Sequence, residues 1–188
     1  MKPPLFLLIF LLPAALSAQD IATHRVLTLR DSGLLVRFTV PNAPATFRPG
    51  RDNDYFYYLH DSIRSARGGY TGAVLDGPYE VLYDGRALHT RGQFSRGQKH
   101  GRWRYWYPDG QLRREENWKN SRLHGRFTDF DAAGRKTRSG KYRHGQLHGP
   151  VRLYEKGEPT GKQRYKNGEA QSGPRVRMPK FKKQPSGQ

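Results

Sequence analysis

RWRYWYPDGQLRREENWKNSRLHG, residues 102–125, reads as two short strands and two turns, closed by a glycine. In its first six residues Trp103, Tyr105 and Tyr107 point one way and Arg102, Arg104 and Trp106 the other, the period of two that marks a strand. Pro108-Asp109-Gly110 then places glycine where a hairpin needs positive φ. QLRREENW is the returning strand, and KNSRLHG carries the chain onward. The stretch predicts a β-hairpin.

That hairpin recurs. Gly77, Gly101, Gly125, Gly149 and Gly173 stand 24 residues apart, and cutting after each yields four units in phase. Their second positions are Tyr79, Trp103, Phe127 and Val151; their fifth are Leu82, Trp106, Phe130 and Tyr154; their seventeenth are Phe94, Trp118 and Tyr142, with Tyr165 one residue early. First turns carry Gly85, Gly110, Gly134 and Gly157, and Gly168 marks a second turn. A degenerate fifth unit fits residues 54–77, where Tyr55, Tyr58 and Tyr70 occupy the aromatic positions.

A two-stranded hairpin alone is marginal in water, so each unit must extend its neighbour's ladder and stack aromatics on it. Three large side chains per unit, at about 2 kcal/mol each, matter only when they accumulate along an array. The expected fold is all-β: one elongated antiparallel sheet of consecutive 24-residue hairpins over residues 54–173. Its structure rests on the five ladder glycines and on Phe94, Trp103, Trp118 and Tyr142. Within residues 19–53, VLTLRDSGLLVRFTV predicts a hairpin capping the first edge and NAPATFRPGRDN a linker. Residues 174–188, with three prolines and five basic groups, predict a flexible tail.

Residues 1–18 predict a secretory signal peptide: Lys2, the apolar run LFLLIFLL, Pro13 and the small residues of AALSA, with cleavage after Ala18 or one residue to either side. The run is too short to span a bilayer, and no later stretch is long enough. No cysteine follows, so neither lipid attachment nor a disulfide is available. The expectation is a secreted or periplasmic protein. An apolar fraction of 35% is low for one compact core and suits a thin array.

The net charge of +18 is unevenly spread. Residues 19–77 carry 7 basic and 6 acidic groups, residues 78–173 carry 21 and 10, and residues 174–188 carry 5 and none. The basic field therefore belongs to the repeats and tail and favours anionic partners.

GQFSRGQKHGRWRYWYPDG, NWKNSRLHGRF and GKYRHGQLHGP resemble MORN repeats, most closely the bacterial MORN-2 type with its pattern aromatic-x-x-Gly-x-x-x-Gly-x-aromatic. The resemblance covers about residues 55–173. It implies an elongated sheet of hairpins curved into a shallow trough, and protein scaffolding, acidic-lipid contact or an antitoxin-type role. Ser121 stands where a turn glycine belongs, Asp129 and Asp131 interrupt an aromatic strand, and the last unit slips at Tyr165.

His100, His124 and His148 precede ladder glycines and invite a metal-site reading. Two strands per unit at about 4.8 Å hold equivalent histidines roughly 10 Å apart, whereas zinc ligands lie about 2 Å from the ion. Their expected role is in turns, with no metal and no cofactor. No nucleophile motif, phosphate loop or paired acid and base is visible, and Glu115 and Glu116 point to opposite faces, so no enzyme is expected. Nucleic acid would suit the charge, but export removes it. The leading expectation is a non-enzymatic repeat protein that binds another protein; the alternatives are electrostatic attachment to lipopolysaccharide, phospholipid or acidic glycan, and an antitoxin or immunity-type protein. Candidate binding residues are Arg102, Arg104, Trp106, Arg113, Arg114 and Lys119, joined by Lys180, Lys182 and Lys183 of the tail.

Overall fold

The structure, a computed structural model, describes residues 23–84 and 86–172. Strands β1 (His24–Asp31) and β2 (Leu34–Pro41) form the N-terminal hairpin around Ser32 and Gly33, both at positive φ. There follow β3 (Asp54–Leu59), β4 (Ser62–Arg67) and β5 (Ala73–Val74). The repeats supply β6 (Gly77–Leu82) with β7 (Leu88–Ser95), β8 (Gln98–Trp106) with β9 (Leu112–Lys119), and β10 (Arg122–Phe130) with β11 (Lys136–Arg143). The last unit adds the short β12 (Gln146–Leu147), then β13 (Gly149–Glu155), β14 (Glu158–Lys166) and β15 (Glu169–Gln171). Twelve of these strands make one open antiparallel sheet in the order β1-β2-β6-β7-β8-β9-β10-β11-β13-β14-β15, with β12 beside β11. The sheet of consecutive hairpins is not closed into a barrel, and among the described residues no helix is long and apolar enough to cross a membrane.

The glycine ladder has a physical cause. Gly77, Gly101, Gly125 and Gly149 lie opposite Phe94, Trp118, Tyr142 and Tyr165 respectively. All four take φ between +68° and +108°, a region that costs a side-chain-bearing residue energy. At Gly101 and Gly125 the register with the preceding strand shifts, so the glycine sits in a bulge that bends the strand. Gly173 lies outside the described residues, as does Gly85.

A second irregularity keeps the same period. His89, Arg113, Thr137 and Thr160 are each skipped in the pairing near a strand end, the last one residue early, where Tyr165 also slips. The second turns follow suit. Arg96-Gly97, Asn120-Ser121, His144-Gly145 and Asn167-Gly168 each have two consecutive positive φ values, the hairpin geometry that matches strand twist. Ser121 tolerates φ +57° because its hydroxyl accepts the Lys99 N–H at 3.1 Å and donates to the Asp54 carbonyl at 2.9 Å.

Residues 54–77 depart from the expected fifth unit. The β6 strand pairs directly with β2, which leaves them no place in the ladder, and β3 to β5 form a separate three-stranded sheet in the order β4-β3-β5. The single sheet expected from the sequence thus acquires a second layer over its N-terminal half. Two causes are visible. The position one period before Gly77 is Asn53, so the bending glycine is missing. The aromatics are also engaged elsewhere: Tyr55 and Tyr70 cluster with Phe47, and the Tyr55 hydroxyl accepts the Gly50 N–H at 2.9 Å.

The layers are joined at the tip of the β7–β8 hairpin, where Phe56 N–H donates to the Gly97 carbonyl and Gly97 N–H to the Leu75 carbonyl. Between them lies the core: Val36, Phe38, Val40, Leu75, Val81, Phe94 and Trp103, with Phe56, Tyr58 and Ile63 packed against it. Phe38 and Leu75 are fully buried and Trp103 is 1% exposed. The face carrying Trp103 is the inner face; its opposite is the outer face.

Candidate binding face

One row of outer-face residues runs across the main sheet in register. Arg37 opposes Glu80, Glu80 Arg91, Arg91 Arg104, Arg104 Glu115, Glu115 Thr128, Thr128 Ser139, Ser139 Arg152 and Arg152 Lys162. In the first half the charges neutralise one another. Glu80 accepts from Arg91 at 2.6 Å and lies 3.4 Å from Arg37, while Glu115 accepts from Arg104 at 2.8 Å and lies 3.8 Å from Arg102. Glu115 is the last carboxylate in the row. Beyond it stand Arg152 and Lys162, flanked on the same face by Arg126, Lys141 and Arg164. These five are exposed, and among the described residues none forms an ion pair.

The inner face of the same hairpins is built differently. Phe127 is 1% exposed, and Arg114 and Arg138 lie over its ring at 5.4 and 5.1 Å. Asp129 joins the two guanidinium groups at 2.9 and 3.2 Å. Glu116 is buried and fully partnered, accepting hydrogen bonds from Arg114 at 2.5 Å, the Tyr105 hydroxyl at 2.8 Å and the Trp118 indole at 2.9 Å. Burial alone would lower the pKa of Arg114, but the Glu116 hydrogen bond and charge and the charge of Asp129 outweigh it and hold the guanidinium charged. Burial raises the Tyr105 pKa, and the neighbouring Glu116 charge raises it further. Glu116 and Arg114 satisfy one another, while the Arg138 Nε is buried without a hydrogen-bond partner and keeps only its ion pair with Asp129. Among the described residues no group of three or more His, Cys, Asp or Glu is arranged to hold a metal ion.

Of the residues singled out from the sequence, Arg102 and Arg104 are on the outer face but spent on Glu115. Arg114 is on the opposite, inner face, because it opposes Tyr105 in the ladder. Arg113 is the skipped residue of a bulge, and its charge acts on His89, whose pKa falls through burial first and Arg113 second. Trp106 is half-buried, with its carbonyl accepting the Tyr83 hydroxyl at 3.0 Å. Lys119 is exposed at a strand end beside a small cleft with His124 and His144. Lys180, Lys182 and Lys183 lie outside the described residues. Sequence reasoning thus chose the best-formed hairpin, whereas the unpaired charge sits on the next two. A signal for this was present: Arg126, Lys141, Arg152, Lys162 and Arg164 alternate with non-acidic neighbours, while Glu80 and Glu115 stand across from arginines.

Glu116 was also missed as a buried group. It holds the unit position that is Gly92 in the preceding repeat and Gly140 in the following one. A Cβ on Gly92 would come within 2.2 Å of the Trp103 ring, and one on Gly140 within 2.9 Å of Phe127, so this position lies beneath an aromatic. No family model matches the chain, and no curated protein matches it.

Proposed function

We propose that the protein is an exported, non-enzymatic repeat module of MORN type whose basic outer face binds the acidic surface of another protein. The observation that carries the reading is the unpaired row Arg126, Lys141, Arg152, Lys162 and Arg164 on an open sheet face. A regular β-face presents charge at fixed spacing without a concave pocket, which suits an extended macromolecular surface and speeds encounter with it. The two carboxylates nearest its start are committed elsewhere, Glu115 to Arg102 and Arg104 and Asp129 to the inner face, while Glu169 stands exposed on the edge strand β15.

The test is chemical crosslinking in envelope extract at low salt, with wild type against the double variant Arg152→Glu, Lys162→Glu. The expected outcome is an acidic protein captured by wild type, weakened by salt and lost with the reversed charges. Equal capture by both proteins would refute the reading. Flotation of the wild type with anionic vesicles, without protein capture, would replace it by electrostatic attachment to lipid. Export rests on residues 1–18, and N-terminal sequencing of the mature chain checks it.

A further inference from the structure

Between the two sheets, on the inner face, a groove of about 300 Å³ opens to solvent. One wall is Phe56 and Ile63 of the small sheet; the other is Val36, Phe94 and Trp103 of the large one, with Tyr79, His89, Thr90 and Tyr105 adding polar groups and the exposed Asp31 carboxylate also in the lining. Lys99 lines it, its Nζ lying 4.5 Å from the Trp103 ring centroid, 4.8 Å from that of Trp118 and 5.5 Å from that of Phe56. Three rings hold the cation in place. Among the described residues the ammonium has no hydrogen-bond acceptor and no carboxylate within ion-pair distance.

That leaves one charge unmatched. Glu116, the carboxylate whose field reaches Lys99, is already held by Arg114, Tyr105 and Trp118, and Asp129 is held by Arg114 and Arg138. An ammonium in an apolar site without an acceptor is costly, and an incoming anion would supply both counter-charge and acceptor. Burial lowers the Lys99 pKa, with the Glu116 charge opposing it, and a bound anion would favour the charged form.

We propose that this groove binds a small apolar monocarboxylate, its acid group paired with Lys99 and its hydrocarbon body against Phe56, Ile63, Phe94 and Trp103. At roughly 30 Å³ per water-sized group, the groove takes about ten heavy atoms. Lys99 is the one lysine or arginine among the lining residues, and a single such cation matches a monoanion better than a phosphate, which recruits several charged donors. The groove lies on the opposite face from the basic row, so the two readings stand or fall separately.

The full mature chain is titrated with straight-chain acids from butanoate to decanoate and with phenylpropanoate, following the Trp103 indole by NMR and affinity by calorimetry. The expected result is movement of the Trp103 and Phe56 signals, with affinity at least about tenfold weaker for phenylpropanol and for the Lys99→Met variant. Ile63→Phe, which fills the groove from the small sheet and leaves Lys99 untouched, should weaken binding as well, and circular dichroism checks both folds. No movement with any acid at millimolar concentration would overturn the proposal. So would equal binding of the alcohol, unchanged affinity in the variants, displacement by inorganic phosphate, or tighter binding of a peptide ending in phenylalanine.

Discussion

The N-terminal and C-terminal halves of the sheet present the same inner face under different cover. Over the hairpins at Phe94 and Trp103 lies a second sheet, and Phe56, Tyr58 and Ile63 close the core with hydrocarbon. Over Phe127 no strand of the second sheet lies among the described residues; two arginines lie on the ring and Asp129 ties them together. Farther on, Leu153 is 44% exposed. The comparison teaches that the basic residues sit in two different environments. Arg114 and Arg138 are lids for Phe127, which packs on Tyr142 within its own sheet, and they stack as planar cations while spending little hydration. The outer-face groups past Glu115, Arg126, Lys141, Arg152, Lys162 and Arg164, are exposed and, among the described residues, in no ion pair.

The largest expected difference between the halves comes from Trp103→Ala. It removes the largest fully buried side chain, which packs on Tyr79 and Phe94 in the core between the layers, and should cost about 4 kcal/mol. Thermal melting should then show both halves destabilised. If only the C-terminal hairpins were lost, the second layer would not depend on Trp103 and the comparison would break.

Removing residues 126–149, one whole unit, should cost less, because it deletes only arginine-lidded sheet and joins Gly125 to Pro150 in phase. Removing 126–137 should unfold everything C-terminal to the cut, since the ladder glycines no longer meet their aromatics. Equal melting of both deletions would contradict the period as the structural unit.

Asp129→Ala sharpens the account of the lids. Both guanidinium groups would lose their common anchor while Phe127 stays in place, a loss of about 1 kcal/mol, and raised salt should shrink the difference from wild type. Denaturant melts at low and high salt measure it. An effect independent of salt would mean that the arginines act by packing alone.

How much of this was legible in the sequence depended on whether the cause was local. The hairpins, the turn glycines and the Tyr165 slip are written within a few residues of where they act, so period and alternation revealed them. Asp129 and Asp131, which interrupt the aromatic pattern, were visible as exceptions. Their opposite fates, a bridge between arginines and a turn cap, depend on which neighbours pair with them. Residues 54–77 misled because their tyrosines have the right spacing, while the competing partner, Phe47, lies in a segment with no pattern of its own. The candidate site was displaced for a related reason. Arg102 and Arg104 look free in sequence, and only the cross-strand register shows that Glu115 neutralises them.

The smallest expected effect lies at the first turns, where the halves differ again. The Tyr83 hydroxyl donates to the Trp106 carbonyl at 3.0 Å and the Tyr107 hydroxyl to the Phe130 carbonyl at 3.1 Å, each stapling one unit to the next. One period later the residue is Asp131, which turns inward on its own loop, accepting the Arg135 and Ala133 N–H groups at 2.9 and 3.0 Å and the Arg135 guanidinium at 2.9 Å. The Arg135 backbone hydrogen bond foremost, then its side chain and the Ala133 N–H, hold the carboxyl below its ordinary value of 3.8. Its folded pKa is the lower one, so its stabilising contribution is complete above pH 3.8 and is lost as the pH falls below that value through the folded pKa. Asp131→Ala should therefore melt earlier than wild type at neutral pH and converge with it in acid, while Tyr107→Phe, which removes a staple rather than a charge, should differ from wild type by the same amount at both. Parallel melting curves for Asp131→Ala across that range would show that its turn is held by backbone geometry alone, and that the missing staple in the bare half has no electrostatic substitute.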